Sequence, residues 1–296
     1  MDGDPADTPG TTEAGKALAP GLYLVATPIG NARDITLRAL DILGAADILA
    51  AEDTRRTRQL LAIHGIGRGG VVPYHDHNGA AQRPRLLAAL AEGRSVALVS
   101  DAGTPMVADP GYRLAVEAIA AGYPVHAAPG ASAALAALSV AGLPTDRFLF
   151  AGFLPPRPAA RRRVLAELAA VPATLVFYES PRRLAASLGD MTAVLGGGRA
   201  AAVCRELTKR FEETRRGALG SLAAERAAKA PPRGEIVVVV GPPGDAAAAD
   251  GADLDAALAA ALGTLSLKDA AAKVAADLGL PRRQVYARAL ALAPER

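Results

Sequence analysis

The sequence has few of the residues that stabilise small secreted domains or bind metals. Its 296 residues include a single cysteine, Cys204, and no tryptophan, and only 4% of them are aromatic. A single cysteine excludes an internal disulfide framework and suits a reducing compartment. Because no histidine-rich or metal-spaced segment surrounds Cys204, we interpret it as a small buried residue of a strand.

Long apolar runs and a strong charge of either sign are also lacking. No run is long enough to cross a bilayer, and the first residues are acidic and turn-rich, unlike a signal peptide. We therefore expect a cytoplasmic protein with no membrane partner and with a disordered N-terminal tail at 1–19. The net charge of +3 permits a nucleic-acid partner but does not require one.

Strand-like and helix-like segments alternate through the first half of the chain. Apolar runs predict strands at 21–27, 47–53, 71–75, 95–101 and 124–130, each followed by a helical pattern. This alternation predicts an α/β domain at 20–151, with a parallel sheet that helices cover on both faces.

The second half begins with a stretch rich in proline and arginine. We interpret 152–163 as a linker and 164–242 as a second α/β domain, in which adjacent strand-like runs predict a mixed sheet with hairpins. Small and polar residues predict a flexible linker at 243–260. A small helical unit is predicted at 261–296.

The last unit has the pattern of a helix-turn-helix. Ser266 can cap its first helix, with Asp269 at the spacing of a capping box. The second helix starts with Arg282 and Arg283, at an end that can face nucleic acid. The alternative is a helical hairpin that closes the fold or forms a dimer interface, and the motif alone favours neither.

Three strands of the first domain end in loops of small residues, at 27–31, 100–105 and 129–133. The carboxyl ends of parallel strands share one edge of a sheet, where such proteins bind ligands. The loop at 100–105, SDAGTP, contains no lysine and is not a phosphate-binding motif. Alone it is more typical of a structural turn, but the three loops together predict a pocket for a neutral or cationic adenosine ligand.

Seven motifs along the chain match those of one enzyme family. They are ATPIGN (26–31), AEDTRRTR (51–58), SDAGTP (100–105), PGASA (129–133), FAGFLP (150–155), FYESPRR (177–183) and RELTKRFEE (205–213). In these the chain resembles the class III, tetrapyrrole-methylase-like methyltransferases, in the branch that methylates the ribose 2′-oxygen of cytidine 1402 in 16S rRNA. The resemblance covers 21–241, and the C-terminal pattern fits the same proteins.

The resemblance implies a two-domain α/β methyltransferase with a donor cleft between its domains and a C-terminal helix-turn-helix unit. It implies S-adenosylmethionine as the donor, 16S rRNA of the 30S subunit as the partner, and a homodimer. The implied donor site consists of Pro28, Asp101, Gly103, Thr104, Val107, Ser132, Tyr178, Pro232 and Gly234.

No general base is assigned by the sequence. Glu179, Asp53 and Lys209 are candidates, although Lys209 can serve only if its pKa is depressed. Each has a structural alternative: an ion-pair partner for Glu179, a helix cap for Asp53 and a phosphate contact for Lys209.

Ten arginines are candidate RNA contacts: Arg55, Arg56, Arg58, Arg161, Arg162, Arg163, Arg182, Arg183, Arg282 and Arg283. The alternative for each is a solvated or ion-paired side chain.

His75, Asp76 and His77 superficially resemble a metal cluster. We predict no metal, because no further ligands are evident, and we expect this loop to shape the substrate side of the cleft. Gly79 departs from the family, in which an acidic residue often follows this segment.

Two other functions remain open at this level. The chain can be a methyltransferase that acts on a precorrin or another corrinoid, although its first loop lacks the glycine-rich pattern of those enzymes. It can also be a non-catalytic ribosome-binding protein with the same fold.

Overall fold

The first half of the chain folds into a five-stranded sheet. The computed structural model describes residues 17–106, 111–243, 251–263, 265–278 and 282–292. The strands of this sheet are β1 (Gly21–Val25), β2 (Ile48–Ala51), β3 (Val71–Pro73), β4 (Ser95–Val99) and β5 (Val125–Ala128). The helices that follow them are α1 (Leu37–Ala45), α2 (Thr54–Ile63), α3 (Gly79–Ala91), α4 (Tyr112–Ala120) and α5 (Ala133–Ala141).

The strand order is β3-β2-β4-β1-β5, and every pair is parallel. Alternate side chains enter two separate cores, with Tyr23 and Val25 in one and Leu22 and Val96 in the other. Burial on both faces explains why these strands are continuous apolar runs. The predicted parallel sheet is confirmed.

The second sheet is mixed. Its strands are β6 (Phe148–Phe153), β7 (Thr174–Glu179), β8 (Ala200–Arg205), β9 (Glu213–Ala218) and β10 (Ile236–Val240), with helices α6 (Pro158–Leu168), α7 (Leu184–Leu195) and α8 (Leu219–Ala227). The order is β6-β7-β10-β8-β9; β6 and β7 are parallel and the other pairs are antiparallel. The predicted mixed sheet is confirmed, and the consecutive antiparallel strands β8 and β9 form a hairpin in it.

The predicted boundary between the two sheets is wrong. Because β6 pairs with β7, the second sheet begins at Phe148, inside the predicted first domain at 20–151. The predicted linker at 152–163 contains the end of β6 and the first half of α6. Pro155 and Pro156 lie in the short loop between β6 and α6, whereas Pro158 occupies the first turn of α6, where a proline is well tolerated.

Three helices form the C-terminal unit: α9 (Gly251–Leu262), α10 (Leu267–Leu278) and α11 (Arg282–Leu292). They pack around Leu258, Val274 and Val285. The predicted linker at 243–260 is therefore wrong from Gly251 onward, where an alanine-rich segment forms a helix, as the high helix propensity of alanine favours. Ser266 Oγ accepts a hydrogen bond from the Asp269 amide at 3.2 Å, as the capping prediction requires.

A buried ion pair joins α6 to α7. Arg161 is 3% exposed, and its Nη2 lies 2.5 Å from Asp190 Oδ2. Arg162 Nε contacts the other oxygen of Asp190 at 2.6 Å. Burial alone would raise the pKa of Asp190, but hydrogen bonds from the two arginines hold it below its usual range. The prediction that Arg161 contacts RNA is wrong, because its guanidinium is enclosed between two helices.

We expect Arg161→Ala to lower the free energy of unfolding by about 3 kcal/mol, because it removes one partner of a buried carboxylate. The matched control is Arg162→Ala, which removes a contact to the same Asp190 from a side chain that is 61% exposed. Arg162→Ala should lower the free energy of unfolding by less than about 1 kcal/mol. Denaturant unfolding measures both, and equal losses would contradict the assignment of Arg161 as the buried partner.

Candidate functional site

The loops after β1, β4 and β5 are hydrogen-bonded to one another at the carboxyl edge of the first sheet. Thr27 and Gly103 exchange two backbone hydrogen bonds of 2.9 Å each. Thr104 Oγ1 donates to the carbonyl of Ala131 at 3.0 Å. The three loops that the sequence placed on one edge therefore form a continuous rim.

Two glycines are required for this arrangement. Gly103 has a φ of +84°, and a Cβ on it would lie 3.4 Å from Ile29 Cγ2. A Cβ on Gly130 would lie 2.9 Å from the Cβ of Ala26. The rim thus depends on the freedom of glycine to adopt a left-handed conformation and to approach another chain segment closely.

A cavity of about 460 Å³ lies between the rim and the second sheet. Six of the nine predicted donor residues line it: Asp101, Gly103, Thr104, Ser132, Tyr178 and Gly234. Pro28 lines an adjoining pocket of about 230 Å³, which shares Arg56 and Asp101 with the cavity. Pro232 lines a separate pocket beside α7 and α8, and Val107 lies outside the described residues.

Helix α5 joins the two sheets at this cavity. Ser132 caps it by accepting a hydrogen bond from the Leu135 amide at 3.5 Å. Ala134 and Ala137 pack in one cluster with Cys204 and Val237 of the second sheet. Cys204 is fully buried in β8, as predicted, and burial raises the pKa of its thiol.

A second contact joins the first loop to the turn between β8 and β9. The Asn31 amide donates to Thr208 Oγ1 at 3.1 Å. Gly30 lies so close to this turn that a Cβ on it would be 2.4 Å from Lys209 Cγ and 3.0 Å from the carbonyl of Leu207. The turn therefore supports the rim from the side of the second sheet.

Asp53 and Glu179 are held by hydrogen bonds that favour their structural alternatives. Asp53 caps α2, and hydrogen bonds from the Arg55 side chain and amide lower its pKa to about 2. Glu179 is buried; it accepts hydrogen bonds from the Ser180 amide at 2.7 Å and from Ser187 Oγ, and its Oε1 lies 3.3 Å from Arg183 Nε.

Lys209 fails the condition for a general base. Its Nζ lies 2.8 Å from both Glu206 Oε1 and Glu235 Oε2. Burial alone would lower its pKa, but the two carboxylates raise it above the usual value. The condition under which Lys209 could act as a base, a depressed pKa, is therefore not met.

The remaining candidate arginines differ in accessibility. Arg183 is half-buried and donates to the carbonyl of Leu154 at 2.5 Å, so its role here is structural. The side chains of Arg55, Arg56, Arg58, Arg162, Arg163 and Arg182 are exposed. Arg55 is paired with Asp53, whereas Arg56 lines the cavity, and its guanidinium lies 3.7 Å from Asp101. The side chains of Arg282 and Arg283 lie outside the described part of the chain.

The histidine-containing loop forms a compact turn, and its residues 75–78 are not among those that line the cavity. Asn78 Oδ1 accepts a hydrogen bond from the His75 amide at 2.8 Å, and Asn78 Nδ2 donates to the carbonyl of Pro73 at 3.0 Å. Across the described residues, no group of three or more His, Cys, Asp or Glu side chains is placed to hold a metal ion. No helix in the same residues has the length and apolarity to span a membrane.

Comparison with known proteins gives a family. The model of the Tetrapyrrole (Corrin/Porphyrin) Methylases matches residues 21–223. The chain belongs to the tetrapyrrole methylase family. A model of the RsmI C-terminal HTH domain also matches residues 248–293, which confirms the predicted helix-turn-helix unit.

Several similar proteins are named Ribosomal RNA small subunit methyltransferase I. The one from Mesorhizobium japonicum is 55% identical over 277 residues, which cover 94% of each chain. The one from Escherichia coli O157:H7 is 46% identical over 91% of this chain and 94% of its own. Among solved structures, a uroporphyrin-III-C-methyltransferase from Thermus thermophilus aligns with a TM-score of 0.53 and 27% identity, over 75% of this chain and 94% of that one.

The cavity lining includes residues that the sequence does not identify as site residues, among them Phe153, Cys204 and Glu235. Cys204 was recognised only as a buried strand residue. Phe153 stands inside the FAGFLP motif, and that motif is the one signal from which a site role can be suspected.

We expect Gly30→Ala to lower the free energy of unfolding by about 1–3 kcal/mol, because the new methyl group must displace the turn at Lys209. Gly67→Ala is the matched control, since a Cβ there meets nothing within 4 Å. Thermal unfolding measures both, and equal stability of the two variants would contradict the close approach at Gly30.

Proposed function

We propose that this protein transfers the methyl group of S-adenosylmethionine to the ribose 2′-oxygen of cytidine 1402 in 16S rRNA. The observation that carries the proposal is the cavity between the two sheets, which is lined by six of the nine predicted donor residues. The relatives that match over nearly the whole chain are named as methyltransferases of the small-subunit rRNA.

The lining of the cavity suits a donor of this chemistry. Its volume of about 460 Å³ lies in the range typical of small-molecule sites. Its charged side chains are four carboxylates, Glu52, Asp101, Glu179 and Glu235, and one cation, Arg56. An excess of negative charge favours a ligand that carries a sulfonium and an ammonium group, and it disfavours a nucleoside triphosphate.

The contribution of the protein to this reaction is chiefly orientation. When bound, S-adenosylmethionine supplies a methyl group that is activated by a positively charged sulfur. The rim and the second sheet hold the two reactants in line, and such alignment provides a large part of the rate acceleration in bimolecular reactions. With Lys209 protonated and Glu179 engaged, we assign no general base.

Exposed arginines and the C-terminal unit are the surfaces that we propose for RNA. Arg56 lines the cavity, and Arg182 follows Pro181, which also lines it. Contacts between these guanidinium groups and phosphates would be salt-dependent. The three-helix unit either binds RNA as well or contacts a second protomer.

We also propose that the protein is a cytoplasmic homodimer. The family resemblance supports the dimer, and so does an exposed apolar stripe on α4. Tyr112, Val116 and Ile119 of that stripe are 62%, 43% and 62% exposed, and they recur at the spacing of one helix face. Exposed apolar patches of this kind often mark protein interfaces.

We expect Gly103→Val to weaken donor binding at least about tenfold, because the side chain enters the cavity wall at Ile29. Gly122→Val is the matched control: Gly122 has a similar φ of +79°, but a Cβ on it meets nothing within 4 Å. Both variants carry comparable backbone strain, so only the first should lose affinity in calorimetry with S-adenosylmethionine. Unchanged affinity in Gly103→Val would refute the assignment of the cavity as the donor site.

Methyl transfer itself is tested with tritiated donor and three acceptors: 30S subunits, free 16S rRNA and a precorrin. We expect label in RNA only, at the ribose of one cytidine, in a linkage that resists alkali. Label in the precorrin would support a corrinoid methyltransferase instead. RNA binding without donor binding or label would support a non-catalytic ribosome-binding protein.

A further inference from the structure

Phe153 is an exposed aromatic residue at the cavity. Its side chain is 59% exposed, and it lines the cavity together with Tyr178. Exposing a large aromatic ring forfeits the free energy that its burial would contribute, about 2–3 kcal/mol. Although it lines the cavity, Phe153 is not among the nine donor-site residues that the family resemblance implies.

An irregularity in β6 places this ring on the cavity side of the sheet. Phe150 pairs with Val176, but the next partners are Gly152 with Phe177 and Phe153 with Tyr178, so Ala151 is an extra residue. Without the bulge, Phe153 would align with Glu179. Since paired residues of parallel strands point to the same face, the bulge moves Phe153 from the face of Phe177 to the face of Tyr178.

The face selected by the bulge is the one that meets the first domain. Val176 and Tyr178 belong to the cluster around α5, whereas Leu175 and Phe177 belong to the core beneath α7 and α8. Gly152 adopts a φ of +63° at the bulge, a conformation that favours glycine. Bulges next to functional sites commonly redirect a side chain in this way.

The ring stands on a firmly held segment. It contacts the Tyr178 ring edge-to-face at a centroid distance of 5.5 Å, and Tyr178 contacts Phe150 at 4.8 Å. Immediately after it, the carbonyls of Leu154 and Pro155 accept hydrogen bonds from Arg183 at 2.5 and 3.2 Å. Leu154 itself is buried. Phe153 is therefore held in place before any ligand binds, so packing a ligand against the free face of its ring costs little conformational entropy.

We propose that Phe153 is the platform on which the base of the target nucleotide stacks. The inference rests on the proposed function, because it requires an RNA substrate. Proteins bind unpaired RNA bases by stacking them on exposed aromatic side chains. Stacking fixes the plane of the base and so orients the attached ribose, whose 2′-oxygen must align with the donor methyl group.

The exposure of the ring favours the RNA base over the adenine of the donor. The inner walls of the cavity are buried residues such as Cys204 and Val237, which are 0% and 5% exposed. Phe153 is more than half exposed, so it faces the side from which a macromolecular substrate enters. Every base has a π face that can stack. Stacking on Phe153 therefore positions the base, whereas the identity of the base is selected by other groups.

The test compares Phe153→Ala and Phe153→Tyr with the matched control Phe148→Ala. Phe148 lies on the same strand and is 45% exposed, but it does not line the cavity. Alanine at 153 should lower kcat/KM for 30S subunits roughly tenfold to hundredfold, and tyrosine should retain it within about threefold. Phe148→Ala should match the unchanged protein, and donor affinity by calorimetry should be the same in all four.

A second measurement does not need turnover. A fluorescent cytidine analogue at the target position of the RNA should be quenched by the unchanged protein and not by Phe153→Ala. Lower donor affinity in Phe153→Ala, with an unchanged KM for RNA, would place the ring against the donor and overturn the proposal. Equal quenching and equal kinetics in the unchanged protein and in Phe153→Ala would also overturn the proposal. Absence of methylation by the unchanged protein would instead refute the proposed function.

Discussion

The packing of α5 against the second sheet is the constraint on which the cleft depends. This helix completes the last strand–helix unit of the parallel sheet, and its alanines also pack against β7, β8 and β10. Small side chains such as Ala134 and Ala137 allow the helix to lie close to a strand surface that itself carries small residues such as Ala202 and Cys204. The cavity opens at the N-terminus of α5, between Ser132 and the second sheet. Its width is therefore set by the same contact that joins the two sheets.

A network of charges supports the opposite side of this cleft. Glu206 receives hydrogen bonds from Lys209 and from the Glu235 amide, and these hold its pKa below the usual range. A carboxyl group whose folded pKa is lowered stabilises the fold above its unfolded pKa, and the contribution is lost as the pH falls through the folded value. The turn that supports Gly30 is thus most stable near neutral pH. The same network keeps Lys209 charged, so one set of contacts both shapes the cleft and removes a candidate base.

Much of the fold could be predicted because buried parallel strands and capped helices leave local signals. Thr36, Asp53 and Ser132 each cap a helix where a hydroxyl or carboxylate precedes a helical pattern. The failures lie where the local signal is ambiguous. Strand β6 has the apolar sequence FLFAGF, but its glycine and the prolines that follow it give the segment the composition of a linker. The alanine-rich start of α9 has the composition of a linker until its packing against α10 is known.

The site was predictable only as far as its loops. Arg161 and Arg162 are neighbours in sequence, but a helix rotates by about 100° per residue, so Arg161 is buried and Arg162 is exposed. Their common partner, Asp190, is remote in the chain. The bulge at Gly152 is equally hidden, because one extra residue exchanges the two faces of a strand without changing its composition.

The carboxylates that line the cavity are all held by other groups. Asp101 and Glu235 contact cationic side chains, Glu179 is buried with its partners, and Glu52 is also engaged. These contacts hold the carboxylates in fixed positions and offset part of their negative charge. Catalysis in such a site depends chiefly on the alignment of the acceptor oxygen, which makes the residues that orient the nucleotide as important as any group that accepts its proton.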